Sequence, residues 1–245
     1  MKLLLLGKGA VGLAITQYLL TEYPDDLALV VTTDRDAIFR AAQEAGVPAR
    51  VYESDKSLLA NIPSGLDLGV LAWWPKILKK PLIDVPKNGF VNTHPSLLPY
   101  NRGKHYNFWA IVERNPFGVS LHRVNSGIDT GEVIAQKEID YDWTDSGETL
   151  YEKAQEKMVA LFRQTYPALR TGVFESRPQV SGEGSFHAAS ELDAASCIEL
   201  DSEYTARSLL DRLRARTFEG HPGCWFEDGG TRYEISVRIR KVENE

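Results

Sequence analysis

Asn92 and His94 stand two residues apart in the run Gly89-Phe90-Val91-Asn92-Thr93-His94-Pro95. In a strand, side chains alternate with period two, so the amide and the imidazole face the same side. An amide donor beside an imidazole suits a reaction that builds negative charge on a carbonyl oxygen. Asn92 can donate to that oxygen, and His94 can donate or move a proton. Pro95 and Pro99 punctuate the chain just beyond, which puts the pair at the strand's carboxyl end, where open α/β sheets bind ligands. Two polar residues capping a loop would present the same segment. A second run, Asn125-Ser126-Gly127-Ile128-Asp129-Thr130-Gly131, holds one acid among glycines that let the backbone approach a ligand. Asp129 can orient the imidazole or take a proton from an attacking amine; an ordinary turn aspartate is the alternative.

The elements around these runs alternate. Short apolar stretches at 3–6, 27–33, 49–54, 67–73 and 89–94 read as strands, and 11–22 and 35–45 have helical spacing. Such alternation predicts an α/β, Rossmann-like fold: a mainly parallel sheet flanked by helices. Residues 117–124 and 132–139 read as antiparallel edge strands joined by the Asp129 loop. A long helix is expected over 146–169, with Asp145 and Glu148 spaced as a capping box. The Ser-, Gly- and Pro-rich stretch 176–185 reads as a connector. A small C-terminal α+β segment follows, with a helix at 203–216 and a hairpin turning at Asp228, Gly229 and Gly230.

Composition narrows the classes. The 245 residues are 43% hydrophobic and 25% charged, which suits a soluble globular chain and excludes wholesale disorder. A formal net charge of −6 makes nucleic acid a poor partner, because binding to phosphate backbones comes mainly from clustered Lys and Arg. Two cysteines, Cys197 and Cys224, suit a reducing compartment and give no metal-site spacing. No apolar run is long enough to span a bilayer, and the leucines of the N-terminus stop too soon for a signal peptide. A cytoplasmic protein is expected.

Gly7-Lys8-Gly9-Ala10-Val11-Gly12 fits the dinucleotide fingerprint, and Asp34 lies where that fingerprint places its ribose-binding acid. The alternative is a strand-to-helix turn that binds no nicotinamide, with Asp34 a helix cap. Hydride transfer has no need of the Asn92, His94 and Asp129 set, which favours the alternative.

With both runs in view, the sequence resembles the folate-dependent formyltransferases, a family that includes the methionyl-tRNA enzymes. Residues 92–103, NTHPSLLPYNRG, match the family's N-x-H-x-S-L-L-P-x-x-R-G. Residues 118–139, GVSLHRVNSGIDTGEVIAQKEI, match its second block. The resemblance covers residues 1–180, approximately, and implies 10-formyltetrahydrofolate as formyl donor. It implies Asn92, His94 and Asp129 as catalytic residues, with folate near Trp73, Trp74, Pro75, Ile77, Leu78, Asn125 and Gly127. Among the branches, the chain looks most like the nucleotide-sugar N-formyltransferases of surface-polysaccharide (O-antigen, lipopolysaccharide) pathways. The expected acceptor is therefore a nucleotide-linked (dTDP or GDP) amino-dideoxysugar. The resemblance divides the chain into a catalytic domain, 1–178, and a C-terminal region, 179–245, that helps form a homodimer. Methionyl-tRNA, glycinamide ribonucleotide and an NAD(P)-binding role for the GKGAVG turn are the alternatives.

Lys76, Arg102, Lys104 and His105 are candidates to meet a diphosphate. Arg102 leads, because its fork suits phosphate and it lies in the matched motif. Tyr106 is a candidate for the sugar pocket. His122, inside a strand, reads as structural. Arg207, Arg212, Arg214 and Arg216 make the late helix basic, which reads as a solvated face or an RNA contact.

Overall fold

A computed structural model describes residues 1–180 and 182–242. In chain order the elements are β1 (Leu3–Gly7), α1 (Gly9–Glu22), β2 (Leu27–Thr32), α2 (Ala37–Glu44), β3 (Ala49–Val51), α3 (Asp55–Leu59), β4 (Leu68–Ala72), α4 (Lys80–Ile83) and β5 (Phe90–His94). They continue with β6 (Arg102–Gly103), α5 (Tyr106–Glu113), β7 (Gly118–Arg123), β8 (Val133–Glu138), α6 (Gly147–Thr171), β9 (Phe186–His187) and α7 (Glu191–Ser196). The last are α8 (Ala206–Arg216), β10 (Cys224–Asp228) and β11 (Thr231–Ile235). The chain packs as two compact units. One comprises 1–94, 119–137 and 155–179, the other 95–118, 138–154 and 180–245.

The first unit is built on the sheet, ordered β3-β2-β1-β4-β5-β7-β8. Its first five strands are parallel, and β7 runs antiparallel to β5. The expected Rossmann-like, mainly parallel sheet is therefore what the chain forms. All of β1 and β4 are buried, as strands covered on both faces must be. Leu4, Leu6, Leu29, Val31, Leu71, Trp74 and Phe90 share one apolar cluster. At the base of α6 in this unit, the buried Asp26 accepts from Tyr166 Oη at 2.8 Å and Arg170 Nε at 2.7 Å.

Two local expectations need correction, and the glycine turn gains a packing role. Asp34 does not cap α2; it pairs with the Lys8 ammonium, and Asp36 is the cap, accepting from the Ile38 and Phe39 N–H groups at 3.0 and 3.1 Å. The glycine turn is a packing device: a Cβ on Gly12 would stand 2.9 Å from Ile38 Cδ1 and 3.2 Å from the Ala72 carbonyl oxygen. The box opening α6 is shifted by one residue. Ser146 N–H donates to Thr149 Oγ1 at 3.0 Å and Thr149 N–H returns to Ser146 Oγ at 3.3 Å. Asp145 instead pairs with Lys153, 2.8 Å away.

In the second unit β6 pairs with β9, α5 packs on α8, and the β10–β11 hairpin turns at Gly229 and Gly230 as expected. Of the four α8 arginines only Arg207 is exposed; Arg212 and Arg216 are half-buried and Arg214 is buried, so the helix is a solvated face in small part only. Arg214 is buried and donates to the Asp142 and Asp145 carbonyls at 2.8 and 2.9 Å and to Asp211 Oδ1. Arg212 donates to the Cys197 carbonyl, Arg216 to Ser196 Oγ, and Arg207 lies over the Trp143 ring. Cys197 and Cys224 are free thiols. Among the described residues no helix is long and apolar enough to cross a membrane, and no group of three or more His, Cys, Asp or Glu is arranged to hold a metal ion.

Candidate active site

The register of β5 on β7 builds the centre. Asn92 lies opposite His122 and His94 opposite Ser120. Period-two alternation then gives Asn92, His94 and His122 one face, and sends the intervening Thr93 to the other. His122 Nδ1 sits 2.8 Å from the Arg123 carbonyl oxygen, an acceptor only, so that nitrogen carries the proton and Nε2 is left as acceptor. Asn92 Nδ2 donates to it at 3.2 Å. The His94 and His122 rings stand 6.1 Å apart at 80°.

Asp129 reaches this face by an indirect route. Because β7 is antiparallel, it leaves the sheet beside Phe90, where the Val124 N–H donates to the Phe90 carbonyl at 2.8 Å. That is the amino-terminal end of β5, roughly 13 Å back along the strand from His94 at about 3.3 Å per residue. Residues 125–131 therefore arch back over the sheet face. The reversal occurs at Asp129 itself, whose φ of 52° is left-handed and costs of order 1–3 kcal/mol for a non-glycine residue. The arch is closed internally by Asn125 Oδ1, which accepts from the Gly127 N–H at 3.0 Å and Thr130 Oγ1 at 2.9 Å. It is tight at its end, where a Cβ on Gly131 would fall 1.7 Å from the Arg123 carbonyl oxygen.

The result is a carboxylate shared among three side chains. Asp129 Oδ2 is 3.5 Å from His94 Nδ1, and Oδ1 is 3.5 Å from His122 Nε2 and 3.3 Å from Asn92 Nδ2. His94, His122 and Asp129 side chains are 5%, 3% and 13% exposed, so the Asp129 carboxylate acts in a poorly hydrated setting where its charge is worth more than in water. A carboxylate facing Nδ1 of His94 selects the tautomer and supports the imidazolium. The arrangement suits acyl transfer: an amide donor, a proton-bearing imidazole and its orienting acid.

The Trp73–Leu78 segment follows β4 in the same unit. Thr93 ties it to β5, because its hydroxyl accepts the Trp73 N–H at 3.0 Å and donates to the Leu71 carbonyl at 3.0 Å. Trp74 and Leu78 are buried in the core cluster, whereas Pro75, Lys76 and Ile77 are exposed. The Lys76 ammonium lies 5.0 Å above the Tyr52 ring. Ile77 on this segment and Ile128 on the arch are 75% and 43% exposed. In the arch, Asn125 has its side-chain oxygen engaged by the loop and Gly127 is exposed.

Arg102, Lys104, His105 and Tyr106 belong to the second unit. The Arg102 and Lys104 N–H groups donate to the Ser185 and His187 carbonyls at 3.0 and 2.9 Å, and the Arg102 guanidinium is half-buried. His105 precedes α5 with φ of 58°; burial, with Arg216 and Lys104 adding to it, holds its imidazole below the ordinary pKa. Burial pushes the Tyr106 hydroxyl well above its usual value.

Sequence reasoning underweighted His122, which is part of the site rather than filler. The signal was present: in Gly118-Val119-Ser120-Leu121-His122-Arg123 it is a polar residue in a strand whose inner positions are all buried. Gln179 was missed altogether. Its side-chain amide donates to the Asp129 and Gly131 carbonyls at 2.7 and 2.8 Å.

Residues 1–165 match the model of a family described as formyl transferase, and residues 191–241 match an N-formyltransferase dimerization C-terminal domain. A dTDP-4-amino-4,6-dideoxyglucose formyltransferase of Mycobacterium tuberculosis is 28% identical over 149 residues, 61% of this chain and 63% of that protein. A methionyl-tRNA formyltransferase of Rhizorhabdus wittichii is 32% identical over 200 residues, 80% of this chain and 62% of that protein. The matches thus span less than two thirds of either relative. The structure of a 4-N formyltransferase from Francisella tularensis superposes with a TM-score of 0.82 at 21% identity, covering 98% of this chain and 99% of that one.

Proposed function

This chain belongs to the formyl transferase family, and from that premise we propose that it moves a formyl group from 10-formyltetrahydrofolate to the amino group of a nucleotide-linked amino-dideoxysugar. The observation that carries the reading is the Asp129 carboxylate set between His94 and Asn92 on one buried face. The neutral amine attacks the formyl carbon, and the carbonyl electron pair moves onto oxygen. Asn92 and His94 donate to that oxyanion. Collapse of the tetrahedral intermediate expels the folate N10, and the proton released by the attacking nitrogen passes to N10 through His94 or water. Asp129 orients His94 throughout. Holding amine and formyl carbon together contributes a large share of the acceleration, on the order of 7–11 kcal/mol in favourable cases.

The likeness to a dTDP-4-amino-4,6-dideoxyglucose formyltransferase, together with the C-terminal match, supports a sugar acceptor over tRNA. So does the α8 chemistry, since its arginines are engaged within their own unit. Arg102 and Lys104 are the proposed donors to the diphosphate. Residues 179–245 are the proposed homodimer contact, beside a catalytic region over 1–178. A cytoplasmic enzyme of surface-polysaccharide synthesis is the setting this chemistry fits. The test is direct: 10-formyltetrahydrofolate is supplied with dTDP-, GDP- and UDP-linked amino sugars, or with methionyl-tRNA, and products are read by mass spectrometry. A gain of one formyl group on an amino sugar is expected. Efficient transfer to tRNA with none to any sugar overturns the acceptor assignment.

A further inference from the structure

We propose that Gln179 is a positioning residue for the transfer: its amide pins both ends of the turn that carries Asp129 and so fixes the carboxylate against His94 and His122. The inference rests on the reading of Asp129 as the orienting acid.

The arch needs an external hold. Asn125 secures its first half, through Gly127 and Thr130, but neither bond fixes the Asp129 carbonyl. That carbonyl belongs to a residue in the left-handed region, which persists only where the surroundings over-determine it. Gln179 supplies the constraint with one nitrogen and two bonds, 2.7 Å to Asp129 and 2.8 Å to Gly131. Both partners are carbonyl oxygens, so the nitrogen, not the oxygen, must face them.

Gln179 is itself anchored. Arg177 and Val133 exchange two backbone hydrogen bonds of 2.8 Å. Arg177 Nη2 donates to Gln136 Oε1 at 2.6 Å, and Arg123 stacks on Phe174 at 4.9 Å. The segment after α6 is therefore a strap lying on the start of β8. The other end of the Gln179 amide argues against a role in stability alone. Its Oε1 is buried with no hydrogen-bond partner among the described residues, a desolvation cost that a leucine would avoid. An amide kept there despite that cost is kept for its donors.

Three variants test the assignment. Gln179→Leu preserves volume and removes the donors, Gln179→Glu replaces them with acceptors, and Gln179→Lys restores a donor. Leu and Glu should lower kcat about 10- to 100-fold, the scale of a 1 Å misplacement of a reacting group. KM for donor and acceptor should stay within about twofold, and Lys should recover much of the loss. The melting temperature of the Leu variant should change little, because the two carbonyls left without a donor offset the relief of the unpartnered Oε1. In 15N NMR of the whole protein, the His94 imidazole signals should move in the Leu variant, a readout independent of any acceptor. An unchanged His94 spectrum, or unchanged kcat in both Leu and Glu variants, overturns the proposal. If wild-type protein transfers formyl to no acceptor, the function reading fails while the His94 spectra still decide the clamp.

Discussion

Asn92 has two amide hydrogens and, in this site, two partners already. The bond to His122 Nε2, at 3.2 Å, is set by cross-strand register; the one to Asp129, at 3.3 Å, is longer than the usual 2.9–3.0 Å and is the one a developing oxyanion can displace. Asn92→Ala, His94→Ala and Asp129→Ala should each lower kcat roughly 100- to 1,000-fold with the fold retained, as loss of an oxyanion donor or its support does. Steady-state kinetics with circular dichroism check this, and near-normal turnover in the His94 variant would sink the assignment. His122 acts through Asn92, so His122→Leu should cost less, on the order of tenfold in kcat, because the amide keeps its hydrogens but loses its orientation. An equal rise in donor KM without a fall in kcat would instead make His122 a binding residue.

At the scale of elements, the parallel strands, the hairpin and the Asn92–His94 pair were legible because period and punctuation are local. Leu3 to Leu6, an apolar run stopped by the Gly7 turn, reads as a buried strand. His122 carried a signal, a polar residue in a buried strand, but an ambiguous one, since such a histidine reads equally as core. Gln179 stands 50 residues from Asp129, in a connector without periodicity, and its role exists only in three dimensions. Asp36 took the cap expected of Asp34 because α2 begins at Ala37, which puts Asp36 in the cap position and leaves Asp34 to pair with Lys8. The arch predicts a steric result: Gly131→Ala must displace the Arg123 carbonyl, so the variant should lose activity and melt several degrees lower, as overpacking of about 1–3 kcal/mol implies. An unchanged melting curve would mean the arch is looser than described.

The join of β2 to α6 carries the pH dependence. Burial alone would raise the Asp26 pKa, but the hydrogen bonds from Arg170, Tyr166 and the terminal amine outweigh it, and the carboxyl is held below its ordinary value. A lowered folded pKa gives stability that is fully present above the ordinary carboxylate range and is lost as pH falls through that range towards the folded value. Asp26→Asn should remove roughly 1.5–3 kcal/mol at neutral pH, the worth of hydrogen bonds to a charged group. Thermal melts from pH 7 to pH 2 should converge for variant and wild type at the acid end; curves that stay parallel would exclude Asp26 as the titrating group.

For the whole molecule, the C-terminal module is the part whose apolar residues outrun its own core. Ile198, Leu213 and Cys224 form a small buried cluster, yet Leu200, Leu210 and Tyr233 remain 53%, 40% and 47% exposed. Tyr233 stacks on Phe226 with ring centroids 5.2 Å apart. A homodimer through this module should appear in light scattering as twice the chain mass at micromolar concentration, and Tyr233→Asp should shift it to the monomer. A wild-type monomer under those conditions removes the claim.

The bond from the Trp73 N–H to Thr93 has an optical consequence. It fixes the backbone of a half-buried indole to the residue between Asn92 and His94. Light emitted by Trp73 should therefore change when the catalytic strand's surroundings change, with no label attached. Four other tryptophans contribute a background, and Trp73→Phe isolates the signal by subtraction. Stopped-flow mixing with the folate would then time occupancy of the site separately from the chemical step, and a ligand-induced change that survives in Trp73→Phe would assign it to another indole.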